Sequence, residues 1–207
     1  MAAISRTPLE EQQSRLGLRE RKKLRTRTEI RRATYALIAE QGYEATTVEQ
    51  IAEAAEVSPS TVFRYFPTKE DIVLTDEYDP VMAAVLRARP ADEPPLKSLR
   101  HLLVETLQDV LANDRAEMVQ RSKLLVEIPA VRARMTETMS VTARLLSEVL
   151  AERSGRDRND LQLRVFTAAV LGALREVSIY WAERDCQDDL IAMLEDAFDS
   201  LEGGLRL

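Results

Sequence analysis

Cysteine occurs once in this 207-residue chain, at Cys186, so no disulfide can close within it, and a reducing compartment fits best. Histidine also occurs once, as His101 among Leu99, Leu102 and Leu103, where a structural role is the expectation. Cys186 therefore has no fixed histidine partner, and Asp188 and Asp189 beside it read as a helix start. No Cys/His cluster is available to hold a metal. Six glycines are few, and none of them forms a loop able to cradle a phosphate, so neither a cofactor nor enzymatic chemistry is expected. The longest apolar run, Ala168 to Leu174, stops at Arg175 after seven residues, and the first 17 residues are polar. On that pattern no signal peptide or membrane span is expected, and the chain reads as soluble and cytoplasmic.

What is abundant points one way. Leu, Ala, Glu and Arg dominate, 45% of residues are hydrophobic, and no stretch of useful length alternates with strand period. These features predict an all-α fold with a real core. The net charge of -6 hides an asymmetry: residues 1–70 hold 12 basic and 10 acidic side chains, whereas the remainder is strongly acidic. Arg15 to Arg32 carries nine basic residues against Glu20 and Glu29. Such an arm is either a solvated helix start or a polyanion contact, with Arg21, Lys22 and Arg25 as candidates for phosphate.

Beyond the arm, Ile30, Ala33 and Leu37 share a stripe that ends at Gly42, a position suited to a left-handed helix terminator. Thr46 and Thr47 are candidate N-caps, with Glu49 and Gln50 as capping-box partners. Val48, Ile51, Ala52 and Ala55 then give a two-turn helix with one buried face, ending at Glu56. Ser58 followed by Pro59 is a cap and first-turn pair that starts a third helix almost at once, the spacing of a helix-turn-helix.

At about 100° per residue, Val62 and Phe66 point inward while Ser60, Thr61, Phe63 and Arg64 point out. That helix is on the order of 10 Å long and suits a major groove about 12 Å wide. Ser60 and Thr61 offer hydroxyls to base edges, Arg64 a fork for guanine, and Phe63 a surface for a thymine methyl. Thr68 caps a fourth helix, with Lys69 in its first turn placed for phosphate. That helix runs toward Arg89, and Pro80 after Asp79 marks either a kink or a fresh start.

The segment Arg89 to Pro95 has three prolines and no periodicity, and reads as a loop. Helices are predicted over about Leu96–Ala112, Asp114–Val126, Ala130–Glu152, Asn159–Glu183 and Asp188–Gly203, with breaks at Pro129 and Gly155. The helix around Leu161–Trp181 is apolar on more than one side and needs cover from two directions. With the last helix it suggests a four-helix homodimer interface, a thick monomeric bundle being the alternative.

The stretch GYEATTVEQIAEAAEVSPSTVFRYFPTKEDIV, residues 42–73, resembles the TetR family of bacterial transcriptional regulators. The resemblance implies an N-terminal three-helix DNA-binding domain, a C-terminal helical effector and dimerisation domain, and palindromic operators. It also implies repression released by a small molecule. Carried over by position, Thr47, Ser58, Tyr65 and Lys69 contact phosphate, and Pro59, Ser60, Phe63 and Arg64 approach bases. Glu56 departs from a frequent glycine, Ser60 from another, and Phe63 from a frequent tyrosine. LLVEIPAVRAR, Leu124 to Arg134, is similar to the C-terminal domain of a group with acyl-CoA-responsive members.

The expected organisation is a disordered arm over 1–17, a DNA-binding domain over 18–67 and a ligand-binding and dimerisation domain over 68–207. Effector-pocket candidates are Leu103, Leu107, Met118, Leu125, Met135, Met139, Phe166 and Trp181, together with Arg175, whose charge beside Glu176 interrupts an apolar helix. Arg121, Lys123, Arg132 and Arg134 are candidates for an anionic head group. The effector is expected to be apolar or acyl-CoA-like, acting by moving the fourth helix about Pro80. The competing class is a helical protein-interaction module without sequence-specific DNA binding.

Overall fold

The computed structural model describes residues 17–74 and 79–205, and all its regular structure is helical. Residues 1–16, where the disordered arm was expected, lie outside the described residues. Helix α1 spans Leu18–Gln41, so the basic arm is the first half of a helix rather than a lead-in to one. Lys, Arg and Glu are good helix formers, no glycine or proline interrupts them, and Arg25 reaches Glu29 one turn on at 2.7 Å. Gly42 stops the helix with φ 84° and ψ 163°, an extended positive-φ conformation open essentially to glycine alone, and not the left-handed helical one.

Helices α2 (Val48–Ala54), α3 (Pro59–Tyr65) and α4 (Lys69–Leu74) follow with short connections. Of the two candidate caps, Thr47 is the one used: Gln50 N donates to Thr47 Oγ1 and Thr47 N donates to Gln50 Oε1, closing the capping box. Thr46 is buried instead and donates to Gly42 O. After α2, Glu56 N donates to Glu53 O and Val57 N to Ala52 O, the double bond pattern of a Schellman turn. That pattern demands a left-handed residue, and Glu56 adopts φ 54° to supply it. Ile30, Ile51, Ala52, Val62, Phe66 and Ile72 close a small core under these helices, with Arg27 lying over the Phe66 ring at 4.7 Å.

Between Lys69 and Ala88 helix is described in two stretches, residues 75–78 lying outside the described residues. The first stretch is α4, and the second is α5 (Asp79–Ala88), which includes Pro80. The choice between a kink and a fresh start near Pro80 falls on residues 75–78, which lie outside the described residues. Ile72 of α4 belongs to the small core, while Val73 and Leu74 join Tyr35, Ile38, Leu124, Leu125 and Val131 in a second cluster. Through α4, the two ends of the molecule share apolar packing.

Helices α6 (Pro95–Asn113), α7 (Arg115–Glu127), α8 (Pro129–Ser154), α9 (Leu161–Glu183) and α10 (Leu190–Glu202) complete the chain. Pro129 sits in the first turn of α8 and Gly155 ends it in the left-handed region, as the sequence breaks require. The loop before α6 is tied down: Arg89 pairs with Glu93, and Arg153 donates to the carbonyls of Arg89 and Pro90 at 2.9 and 2.7 Å. Helix α9 does have the length and composition of a membrane-crossing helix, which the seven-residue run did not suggest, because Arg175 interrupts the run without ending the helix. One side of α9 packs against α7, α8 and α10, burying Leu163, Val170, Leu171, Val177 and Trp181. Its other side exposes Leu161 (70%), Val165 (58%) and Tyr180 (52%).

Candidate DNA interface and ligand cavity

Helix α3 is held from below by Val62 and Phe66, both fully buried, at positions that put its opposite face outward. Pro59, Ser60, Phe63 and Arg64 are exposed and Thr61 is half-buried. Ser58 caps the helix by accepting from Thr61 N at 3.2 Å, and its hydroxyl lies 2.9 Å from those of both Ser60 and Thr61. These contacts hold the three hydroxyls as one polar group at the exposed N-terminal end of the helix. Phe63 is half exposed at 51%, and Arg64 lies over the half-buried Tyr65 ring at 5.3 Å.

Arg21, Lys22 and Arg25 are exposed on α1 and Thr47 is exposed at the start of α2. Lys69 is placed differently from expectation. Its ammonium donates to the carbonyls of Tyr43 and Thr46 at 2.8 and 3.1 Å and lies 3.9 Å from the Tyr43 ring centroid. Lys69 therefore clamps the α1–α2 turn that presents Thr47. The Tyr43 hydroxyl in turn donates to Glu70 at 2.7 Å. Burial, then this bond, push the Tyr43 phenol well above its ordinary value. Burial raises the Glu70 carboxyl, but the Tyr43 hydroxyl and its own backbone N–H outweigh that, and the net shift is downward.

A cavity of about 160 Å³ lies between α6, α7, α8 and α9. Leu103, Leu107, Met118, Met135 and Met139, all expected pocket residues, line it. Leu125, Phe166, Arg175 and Trp181 do not. Leu125 is buried in the cluster under Tyr35, and Trp181 is core with its indole N–H donating to Asp188 O at 2.9 Å. Phe166 packs against the main core from the side. Arg175 keeps a buried Nε without a hydrogen-bond partner, outside the cavity, and Glu176 is exposed.

Of the candidate cations for an anionic head group, Arg121 lines the cavity. Arg132 is exposed, and Lys123 faces a separate open groove beside Ile38 and Tyr43. Arg134 is engaged elsewhere, with Nε 2.7 Å from Asp71 Oδ1 and Nη2 3.1 Å from Oδ2. Arg31 on α1 is likewise buried against Glu117 on α7 at 3.0 Å. Burial pushes the Cys186 thiol up, which disfavours the thiolate a nucleophile needs.

Residues 93–206 match the family described as the MftR C-terminal domain, and residues 30–75 match the bacterial regulatory proteins of the tetR family. The chain belongs to the TetR family. It is 38% identical over 196 residues to the HTH-type transcriptional regulator TcmR of Streptomyces glaucescens, covering 89% of this chain and 86% of that protein. Among solved structures it is similar to the fatty acid degradation regulator FadR of Bacillus halodurans, with a TM-score of 0.58 and 26% identity over 86% of this chain and 99% of that one. FadR of Thermus thermophilus, a TetR-family repressor in complex with lauroyl-CoA, aligns with a TM-score of 0.55 and 27% identity, over 87% and 95% of the two chains.

As a TetR-family member, the chain is a DNA-binding transcriptional regulator. Several residues of its cavity escaped the sequence reading: Leu74, Met82, Thr106, Thr138, Thr142 and Ser178. A usable signal was there. Residues 103, 106, 107 and 110 on α6, and 135, 138, 139 and 142 on α8, each follow the spacing of one helix face and mix apolar with hydroxyl side chains.

Proposed function

We propose that this TetR-family regulator is a repressor that binds a two-fold symmetric operator as a homodimer, and that a small molecule in the α6–α9 cavity releases it. One observation carries the reading: α3 is anchored by buried Val62 and Phe66 and turns Ser60, Phe63 and Arg64 to solvent. An α-helix so presented is complementary to the major groove, and a pair related by a dyad reads a palindrome. Base contacts are assigned to Pro59, Ser60, Thr61, Phe63 and Arg64. Phosphate contacts fall to Thr47, Ser58, Tyr65, Arg21, Lys22 and Arg25, with Lys69 acting chiefly through the turn it clamps. The division remains a DNA-binding unit over 18–67 and a ligand and dimerisation unit over 68–207, without catalysis and in the cytoplasm.

The exposed face of α9, with α10 beside it, is assigned to the dimer. Its apolar residues Leu161, Val165 and Tyr180 otherwise stand in water. For the effector, a fatty acyl-CoA is a second reading, favoured by the lauroyl-CoA complex of the Thermus thermophilus relative.

Selection of bound fragments from random DNA by the purified protein tests the reading. A palindromic consensus is expected. Binding that enriches no sequence would favour the interaction-module alternative and overturn the regulator mechanism built on α3.

A further inference from the structure

We propose that α9 crosses α9 of a second copy in the antiparallel sense, with Gly172 at the closest approach and Arg164 paired with the partner's Glu176 on each side of the crossing. This rests on the exposed face of α9 being the dimer interface, and deepens it by naming the element that covers that face and the register in which it lies.

Gly172 gives the crossing point. It stands inside the 23-residue helix α9, where glycine weakens a helix relative to alanine because it has more backbone freedom to lose. Nothing within the protomer asks for it. Its backbone is not among the positive-φ positions, its surface is exposed, and a Cβ placed there would meet no atom within 4 Å. The remaining use for a residue without a side chain is close approach by a backbone from outside the chain.

The face around it has the matching shape. Leu161, Val165, Ala168, Ala169, Gly172 and Tyr180 follow one another at helical spacing and are all exposed. The bulky members lie toward the two ends and the small ones in the middle. A helix crossing at the small stretch sits close to the axis of α9 and covers large apolar side chains on both sides, which removes them from water. A two-fold axis through that stretch lets each copy do this for the other with the same patch.

Charge gives the direction. Arg164 and Glu176 are exposed, and neither side chain has an ion pair or hydrogen bond among the described residues. They flank the small stretch, each about 9 Å along the helix axis from Val170 at its middle. An antiparallel copy therefore brings Arg164 level with the partner's Glu176, twice over. A parallel copy would set arginine against arginine and glutamate against glutamate, which is repulsive.

Sedimentation equilibrium of the full chain tests this register. Arg164→Glu and Glu176→Arg are each expected to raise the dimer dissociation constant about tenfold or more, because each sets like charges opposite one another. Mixed together, the two variants are expected to pair with each other more tightly than either pairs with itself, since the charges then match on both sides. A chain carrying both changes should regain the wild-type constant. Gly172→Leu, its helix content checked by circular dichroism, is expected to be monomeric where the wild-type chain is dimeric, with Gly172→Ala in between. The proposal is overturned by a mixture of the charge variants that pairs no better than each alone, or by a folded Gly172→Leu that dimerises as the wild type does. Should Gly172→Leu not fold, the charge mixture decides by itself. Either overturning result beside an intact wild-type dimer sinks this register and leaves the dimeric regulator standing. A wild-type chain that stays monomeric up to its solubility limit sinks both.

Discussion

The guanidinium of Arg134 on α8 grips the carboxylate of Asp71 on α4 through two bonds, 2.7 Å from Nε to Oδ1 and 3.1 Å from Nη2 to Oδ2. Asp71 is also the capping-box partner of Thr68 at the start of α4, accepting from Thr68 N and Thr68 Oγ1 while Thr68 Oγ1 accepts from Asp71 N. The next residue along α8, Met135, and then Thr138 line the cavity proposed for the ligand. In the proposed mechanism, a shift of α8 caused by a ligand would therefore pull on the start of the helix that packs beneath the DNA-reading unit. The ligand's differential affinity for the two arrangements sets how far the equilibrium moves.

Removing that grip tests the coupling. Arg134→Ala leaves the buried Asp71 carboxylate without its partner and is expected to destabilise the chain by about 1–3 kcal/mol, less than the about 3–5 kcal/mol of a fully buried pair because Arg134 is partly exposed. In urea denaturation, Arg134→Lys should fall between the two, since an ammonium lacks the fork. The effector's influence on operator affinity should shrink in Arg134→Ala, and an unchanged ligand response would exclude this route.

At the reading helix, Arg64→Ala is expected to relax selectivity at one base position by about 1–3 kcal/mol, seen as a flattened column in selected sequences. Lys69→Ala should behave otherwise. Because its ammonium holds the Tyr43 and Thr46 carbonyls, the variant should lose affinity for all sequences alike and also melt earlier. Weakened DNA binding with an unaltered melting temperature would assign Lys69 to phosphate alone.

Glu56 occupies the left-handed position of the Schellman turn with an exposed side chain. Glu56→Gly removes the steric penalty on that conformation and is expected to stabilise by about 1 kcal/mol, a rise of about 2–4 °C in Tm for a chain of this size. Calorimetric melting showing no gain would mean that the Glu56 side chain contributes something the turn geometry does not reveal.

Acid should act on the loop before α6. The Arg89 guanidinium, helped by Ser98, holds the Glu93 carboxyl down to about 2 against the burial that raises it. A carboxylate with a folded pKa below its unfolded one adds stability above the unfolded value, and that contribution is lost as pH falls toward the folded one. The window is therefore from about 4.5 down to about 2. Stability measured across it should fall less steeply in Glu93→Gln than in the wild-type chain.

On the outer face of α9, Val165→Asp or Tyr180→Asp places a charge where the proposed partner packs. Both side chains are more than half exposed in the single chain, so the fold should tolerate the change. Sedimentation should show monomer in place of dimer, and a dimer that persists in both variants would move the interface elsewhere.

How much of this was legible beforehand follows from distance along the chain. The caps Thr47, Ser58 and Thr68 act on residues three positions away, so local pattern was enough to place α2, α3 and α4. The inward turn of Val62 and Phe66 followed from helical periodicity alone. Pro80 was ambiguous because a proline fits both a kink and a first turn, and the residues that would decide it, 75–78, lie outside the described ones. Arg134 was read as a possible ligand contact because its partner Asp71 lies 63 positions away, beyond any local rule. Trp181 and Phe166 were large and apolar like the true lining residues, and apolar character does not distinguish a cavity wall from packed core.

The arm along α1 carries a final consequence. Arg27 lies over Phe66, and Arg31 is buried on Glu117. Each phosphate neutralised by a protein cation frees about 0.9 condensed counterion, so the ionic-strength exponent of binding counts cations that truly meet the duplex. Composition suggests nine such cations per protomer between Arg15 and Arg32, but folding has already turned Arg27 and Arg31 toward the protein itself. Operator affinity will consequently decline with added electrolyte more gently than the basic character of the arm implies.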